Sequence, residues 1–302
     1  MMFKNKFYSL LAVFLLVITL LSCFACEKIF EKTNTTLLQK KALSMPQNIE
    51  VNVGEQTKVF FKRYPDKIRI VHQPAGLDFY KMDWDARPRP TVTIQHGKYS
   101  FNIDDVVGIS SIYDHDLPHE GLSKFEIYSG LSSVELLPHD EARFKIYAIL
   151  QNISRAGWRT TIYRSRPRLS GKERLDYALN LSDSIGLDTN YIPTLEEWMR
   201  IESYTSWSFY ADHLYMSVNF DRERTLTDPL KPGAYLLTFD IKSEAEYFRG
   251  YVKSEDRLRW KELLPAELAK LAPLRAQKET EMRAKGVKID ETYQDPPVPD
   301  LK

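Results

Sequence analysis

The spacing of the apolar residues changes near residue 138, and this change limits what the chain can fold into more than any other feature of the sequence. Before it, apolar residues recur at every second position, as in Ile49, Val51 and Val53, which is typical of a half-buried β-strand. After it, from Ala142 to Ile153, most recur at intervals of three or four, which is typical of a helix with one apolar face. The sequence therefore predicts an α+β fold: an antiparallel β-rich N-terminal part, then mixed helix–strand units, then C-terminal helices.

The same patterns predict the individual elements. Strands are predicted at residues 49–53, 59–61, 68–71, 91–94, 99–103, 125–127, 158–164, 206–210, 214–220 and 235–241. Helices are predicted over residues 140–156, after Thr194, after Ser243 and over 254–285, where Pro265 and Pro273 interrupt the pattern. Thr194 and Ser243 are each followed three residues later by glutamate, which is the spacing of a helix-capping box.

Residues 7–26 form an apolar run without a charged residue, and the two cysteines of the chain, Cys23 and Cys26, lie at its end. Lys4 and Lys6 precede it, and a basic start before an apolar core is typical of a secretory signal. A run of about 20 residues could also span a bilayer without cleavage. The interpretations are a lipoprotein anchored at Cys23, an uncleaved anchor or an ordinary signal peptide. In each, the two lysines favour a cytoplasmic start, so the folded part is expected outside the cytoplasm.

The predicted organisation follows from these patterns and from the prolines near the C-terminal end. Its parts are a signal peptide (1–22), a lipidated N-terminus and tether (23–45), a β-rich lobe (46–132), an α+β lobe (133–286) and an extended Pro-rich tail (287–302). The two lobes are expected to join near residues 130–138.

The folded part is nearly neutral. Removing the signal takes Lys4 and Lys6 from the 42 basic residues and leaves 40 against 41 acidic residues, which gives no general attraction to nucleic acid. Since both cysteines lie near the N-terminus, the domain is expected to fold without a disulfide. No cofactor is predicted.

The segment 113–123 holds the densest cluster of side chains that could bind a metal: Asp114, His115, Asp116, His119 and Glu120. A calcium loop would need glycine where His119 stands, and the His-Glu pair lacks the second histidine of a zinc-protease helix. We therefore predict no metal site here. A solvated loop is the expected state, with a metal site or a pH-sensitive contact loop as alternatives.

A basic stretch offers a candidate binding surface. Arg164, Arg166 and Arg168 alternate, so an extended backbone would place all three on one side, and guanidinium groups suit carboxylates and phosphates. The surface could bind an acidic protein or a lipid headgroup, or it could be a charged edge strand that resists aggregation. Trp207 and Tyr210 belong to an aromatic group that is either core or an interface hot spot.

The sequence contains none of the common catalytic motifs, such as a nucleophile elbow or a complete zinc-protease motif. No catalytic residue is therefore predicted. A hydrolase that assembles carboxylates from distant parts of the chain is an alternative.

Residues 20–23, Leu-Leu-Ser-Cys, resemble the bacterial lipobox, with Leu21 in place of the usual small residue. The N-terminus thus resembles that of Gram-negative envelope lipoproteins, and the architecture resembles the immunity lipoproteins of type VI secretion. The resemblance implies lipidation at Cys23, attachment to the membrane and a periplasm-facing domain that binds and neutralises a secreted toxin. The alternatives are an exported hydrolase with an unrecognised active site and a structural lipoprotein of a secretion or envelope machine.

Overall fold

A computed structural model describes residues 48–181, 186–203 and 205–301. The predicted signal peptide, the lipidation of Cys23 and the tether lie outside these residues. The described residues form one compact unit. The predicted α+β class is confirmed, because this unit combines a large antiparallel sheet with several helices.

The described residues contain twelve strands and seven α-helices. The strands are β1 Asn48–Val51, β2 Arg69–Gln73, β3 Leu77–Asp83, β4 Thr91–Ile94, β5 Phe101–Ile103, β6 Val106–Asp114, β7 Leu122–Ser129, β8 Leu136–Pro138, β9 Arg159–Thr160, β10 Ser206–Ala211, β11 Leu214–Arg222 and β12 Pro232–Ser243. The helices are α1 Thr57–Arg63, α2 His139–Arg155, α3 Gly171–Leu181, α4 Leu195–Arg200, α5 Glu244–Arg249, α6 Trp260–Ala269 and α7 Leu271–Ala284. Within this part of the chain, no helix has both the length and the apolar character needed to cross a bilayer.

Nine of the strands form one sheet. Eight follow the order β2-β3-β6-β7-β12-β11-β10-β9, and β8 pairs with the start of β12. Strands β1, β4 and β5 form a separate small sheet in which β1 runs parallel to β4. Strand β7 pairs with β12 from Ser129 opposite Leu237 to Lys124 opposite Lys242. This pairing carries the main sheet across the boundary predicted near residues 130–138, so the two predicted lobes share one sheet.

The main core lies on one face of this sheet. Alternate residues of the central strands supply it, including Phe125, Ile127, Met216, Val218, Phe239 and Ile241. Helix α2 contributes Ile146 and Leu150 to the same core, and it ends before Gly157, whose φ of 94° suits glycine. Burying each large apolar side chain stabilises the fold by about 1.5–3 kcal/mol.

The strand predicted at residues 59–61 is wrong, because these residues belong to α1. Phe60 is fully buried, whereas Val59 and Phe61 are exposed. Three residues fit one turn of a helix as well as they fit a short strand, so their spacing alone could not decide between the two.

The strand predicted at residues 158–164 is limited to Arg159–Thr160. The N–H of Thr161 still donates to the Ser208 carbonyl at 2.8 Å. The N–H of Ile162 instead donates to the hydroxyl of Tyr293 at 2.7 Å. The C-terminal part of the chain thus replaces a neighbouring strand as the partner of this backbone.

The C-terminal helices end at different places from those predicted. Pro265 lies inside α6, and Pro273 lies in the first turn of α7, where a missing N–H is tolerated. The break between the two helices falls at Lys270. Residues 287–301 contain neither helix nor strand.

Candidate binding site

The second face of the main sheet is polar. Its central positions are occupied by Lys124, Glu126 and Tyr128 on β7, Ser208 and Tyr210 on β10, Tyr215 and Ser217 on β11, and Asp240 and Lys242 on β12. One end of this face is covered by a second, smaller core built from Tyr210, Tyr215, Phe248, Trp260 and Leu264. The other side chains named here are half-buried.

Ion pairs connect charged side chains within and between β7 and β12 on this polar face. The ammonium group of Lys124 lies 2.6 Å from Glu126 and 3.5 Å from Asp240, which also lies 3.1 Å from the ammonium group of Lys242. Burial alone would lower the pKa of Lys124, but the two carboxylates outweigh it and raise the pKa. Burial would raise the pKa of Glu126, but hydrogen bonds from Lys124 and Tyr128 outweigh it and lower the pKa. Lys124 and Glu126 are therefore charged near neutral pH, which favours binding of polar rather than purely apolar ligands.

A cleft opens where the polar face meets the smaller core. We call it the tyrosine cleft; its lining residues are Thr161, Tyr163, Ser208, Phe209, Tyr215, Met216, Ser217, Lys242 and Tyr247. Its volume is about 130 Å³. An apolar cavity of about 150 Å³ holds a benzene ring, so the tyrosine cleft has room for one side chain of a partner rather than for a large cofactor.

Stacked tyrosines form one wall of the tyrosine cleft. The rings of Tyr215 and Tyr247 lie parallel with centroids 3.6 Å apart, and the Tyr247 and Tyr251 hydroxyls are 3.0 Å apart. Tyr163 stacks on Tyr251 with centroids 5.8 Å apart. Burial raises the pKa of Tyr215, Tyr247 and Tyr251, so these hydroxyls remain protonated and can donate hydrogen bonds near neutral pH.

The C-terminal end of the chain lies along the rim of the tyrosine cleft. The Tyr215 hydroxyl donates to the carbonyl of Pro297 at 3.4 Å, and Arg164 Nη2 donates to the carbonyl of Pro296 at 2.6 Å. The side chain of Pro296 is buried. The rim therefore contacts a proline-rich segment of the chain itself.

The structure places the three arginines of the predicted binding surface beside this C-terminal segment. Arg168 binds Glu279 at 2.8 Å and Glu291 at 3.0 Å. Arg164 lies 3.7 Å from Asp295. Between them, the Arg166 carbonyl accepts a hydrogen bond from Arg275 at 2.9 Å.

For Arg164 and Arg168, the expected preference for carboxylates is thus met by acids of the same chain. Half-buried and buried residues alternate along this segment. The three arginines are half-buried, and the residue after each of them is buried: Ser165, Pro167 and Leu169. The interpretation as an edge strand is wrong, because residues 164–168 belong to no strand.

The two predicted aromatic residues occupy different environments. Trp207 is fully buried in the main core, with its ring centroid 5.8 Å from that of Tyr147 on α2. It therefore offers no surface to a partner. Tyr210 is buried in the smaller core, with the Arg159 guanidinium 5.2 Å from its ring centroid.

The loop 113–123 is tied to the α5–α6 region by ion pairs. Arg257 binds both Asp114 and Asp116, and Arg249 binds Glu120 at 3.0 Å. Among the described residues, no group of three or more His, Cys, Asp or Glu side chains is arranged to hold a metal ion.

Histidines and a carboxylate meet at the end of this loop. His115 and His72 contact the two oxygens of Asp78 at 3.0 and 2.6 Å. Burial would raise the pKa of Asp78, but hydrogen bonds from the two histidines outweigh it and lower the pKa. The cluster therefore keeps Asp78 ionised near neutral pH.

Sequence reasoning missed most of the tyrosine cleft. Tyr215 lies on the polar face of the strictly alternating strand β11, and an aromatic residue at such a position indicates a contact on that face. Tyr247 and Tyr251 are four residues apart, which predicts their contact on a helix but indicates no contact with Tyr163. They do make contact, although α5 ends at Arg249, before Tyr251.

Neither a known protein family, nor a curated protein, nor a solved structure matches this chain.

Proposed function

We propose that the protein is an envelope-anchored binding protein whose folded part faces the periplasm, and that the tyrosine cleft receives one side chain of a protein partner. We further propose that this partner is a secreted toxin, which the protein neutralises in the way implied by its resemblance to the immunity lipoproteins of type VI secretion. The charge-free run at residues 7–26 supports the anchor.

The observation that carries the proposal is the composition of the cleft. Tyr163, one of its lining residues, is 49% exposed. Thr161, Ser208 and Lys242 add polar side chains to the lining, and Lys242 pairs with Asp240 at 3.1 Å. Tyrosines around a pocket that fits one side chain are typical of interface hot spots. Their rings give apolar contact area, and their hydroxyls give direction to hydrogen bonds.

Site-specific photo-crosslinking tests this proposal. One variant carries a photoreactive amino acid at Tyr163, and a control carries it at Phe144 on α2, whose exposure of 51% matches the 49% of Tyr163. In intact cells that make the protein and its partner, we expect a discrete adduct from position 163 and none from position 144. Equal adducts at the two positions, or none at position 163, would contradict a binding site at the tyrosine cleft.

The identity of the adduct separates the proposed partner from the alternative. A secreted toxin in the adduct, together with loss of protection in cells that lack the protein, supports neutralisation. A component of an envelope machine in the adduct favours a structural lipoprotein.

A further inference from the structure

Side chains from distant parts of the chain bind the C-terminal residues in the way that a protein binds a peptide ligand. We call residues 295–301, with the sequence Asp-Pro-Pro-Val-Pro-Asp-Leu, the strap. The Asp295 carboxylate receives two hydrogen bonds from Arg275, at 2.6 and 3.0 Å, and lies 3.7 Å from Arg164. This fork-to-carboxylate geometry recognises an acidic side chain with defined orientation.

The next two residues are bound through their backbone. The carbonyls of Pro296 and Pro297 accept from Arg164 at 2.6 Å and from Tyr215 at 3.4 Å. Proline has no N–H, and consecutive prolines favour an extended conformation. A proline-rich segment therefore presents carbonyls to side-chain donors and loses little conformational entropy when it binds. Aromatic-lined grooves with such donors are a common means of recognising proline-rich peptides.

The strap and the residues before it contact different parts of the chain. Upstream, the N–H of Asp290 donates to the Arg168 carbonyl at 2.7 Å, and Tyr293 is bonded to Ile162 at 2.7 Å. The contacts of residues 295–297 given above come instead from side chains of Arg164, Tyr215 and Arg275. Because residues 290–293 keep their own contacts with Ile162 and Arg168, the strap can detach while those contacts stay in place. Detachment exposes the buried Pro296 and removes Leu301 from its contact with the smaller core.

We propose that the rim formed by Arg164, Tyr215 and Arg275 is a docking site for an extended proline-rich segment of the protein partner that carries an acidic residue before its prolines, and that the strap is the built-in competitor for this site. The inference rests on the proposed function because it names the chemistry of that partner. The strap blocks the rim until a partner displaces it, so a free ligand binds the intact protein more weakly in proportion to the small fraction of molecules with the strap detached.

Peptide binding in solution tests the inference. The probe is the peptide Asp-Pro-Pro-Val-Pro-Asp-Leu-Lys with a fluorescent label, and its binding to the full chain in detergent is compared with binding to a variant that ends at Gln294. We expect the shortened variant to bind at least about tenfold more tightly. Peptides with asparagine for the first aspartate, or with alanine for the prolines, serve as matched controls and should each lose at least about tenfold in affinity.

A full-length variant covers the case in which the shortened chain fails to fold. Asp295→Arg places a third positive charge beside Arg164 and Arg275 and should release the strap without removing it. Its affinity for the labelled peptide should approach that of the shortened variant. Equal peptide affinity for the intact and strap-released proteins, or equal affinity for all three peptides, would overturn the inference.

The test is independent of the proposed function. Peptide binding that follows the expected pattern, without a cellular adduct at position 163, would refute only the proposed function. An adduct at position 163, without the expected peptide binding, would refute only the docking of a proline-rich segment.

Discussion

Replacing Arg168 with alanine should destabilise the protein by removing the partner of a buried carboxylate. Glu279 on α7 is only 4% exposed, and Arg168 donates to it through Nε and Nη2, both at 2.8 Å. Breaking a buried ion pair by removing one partner costs about 3–5 kcal/mol. Arg168 is partly exposed, and Arg283 lies 3.6 Å from Glu279, so we expect about 2–3 kcal/mol.

Urea and thermal unfolding of the domain measure this cost. For a domain of this size, about 2–3 kcal/mol corresponds to a fall in Tm of about 5–10 °C. Arg259→Ala is the matched control, because Arg259 also pairs with a glutamate but lies on the surface of the protein, and it should leave Tm unchanged within error. Glu279→Gln in the Arg168→Ala background should recover part of the loss, since it removes the unpaired charge. An Arg168→Ala protein with unchanged Tm would refute this account of how α7 is held.

Three further outcomes follow from other contacts. Since hydrogen bonds from Arg168 lower the pKa of Glu279 in the folded state, the pair stabilises the fold above the ordinary glutamate pKa of about 4.3. The difference in unfolding free energy between wild type and Arg168→Ala should therefore shrink as the pH falls below about 4. Urea titrations at several pH values measure this difference, and a difference that stays constant with pH would contradict the prediction. Thr194→Ala removes the capping box of α4 and should cost about 1 kcal/mol in the same assay, and no loss would mean that the cap is dispensable. Gly121→Ala should lower Tm far more than Gly76→Ala in thermal melts. Both glycines have positive φ, but a Cβ at position 121 would lie 2.5 Å from the Glu55 carbonyl oxygen, whereas one at position 76 would meet nothing within 4 Å. Similar losses of Tm in the two variants would contradict the clash.

The strands and helices that were predictable bury one face in a core and are long enough for a periodic pattern of apolar residues. Strand β11 alternates strictly because Met216, Val218 and Phe220 face the main core while the residues between them face the polar side. Helix α2 was also predicted from its one apolar face, but there the apolar residues mostly recur at intervals of three or four rather than two. The capping box at Thr194 was predicted because all its hydrogen bonds lie within four consecutive residues.

The candidate site was mostly unpredictable because its contacts join distant parts of the chain. Arg168 and Glu279 are separated by 111 residues, and Arg164 and Pro296 by 132. Local spacing indicated that the arginines would seek carboxylates, but it could not show that those carboxylates belong to the same chain. Similarly, the pairing of β7 with β12 follows from the path of the whole sheet, which no local pattern encodes.

The affinity of the purified partner for a protein whose tyrosine cleft has been filled tests the central claim most directly. Ser208 lies half-buried on the cleft wall, so Ser208→Trp should occupy the space while Ser208→Ala leaves it open. With the partner identified by crosslinking, we expect calorimetry to show at least a hundredfold weaker binding for Ser208→Trp, equivalent to about 2.7 kcal/mol, and nearly unchanged binding for Ser208→Ala. A folded Ser208→Trp protein that binds its partner as tightly as wild type would contradict the assignment of the tyrosine cleft as the binding site.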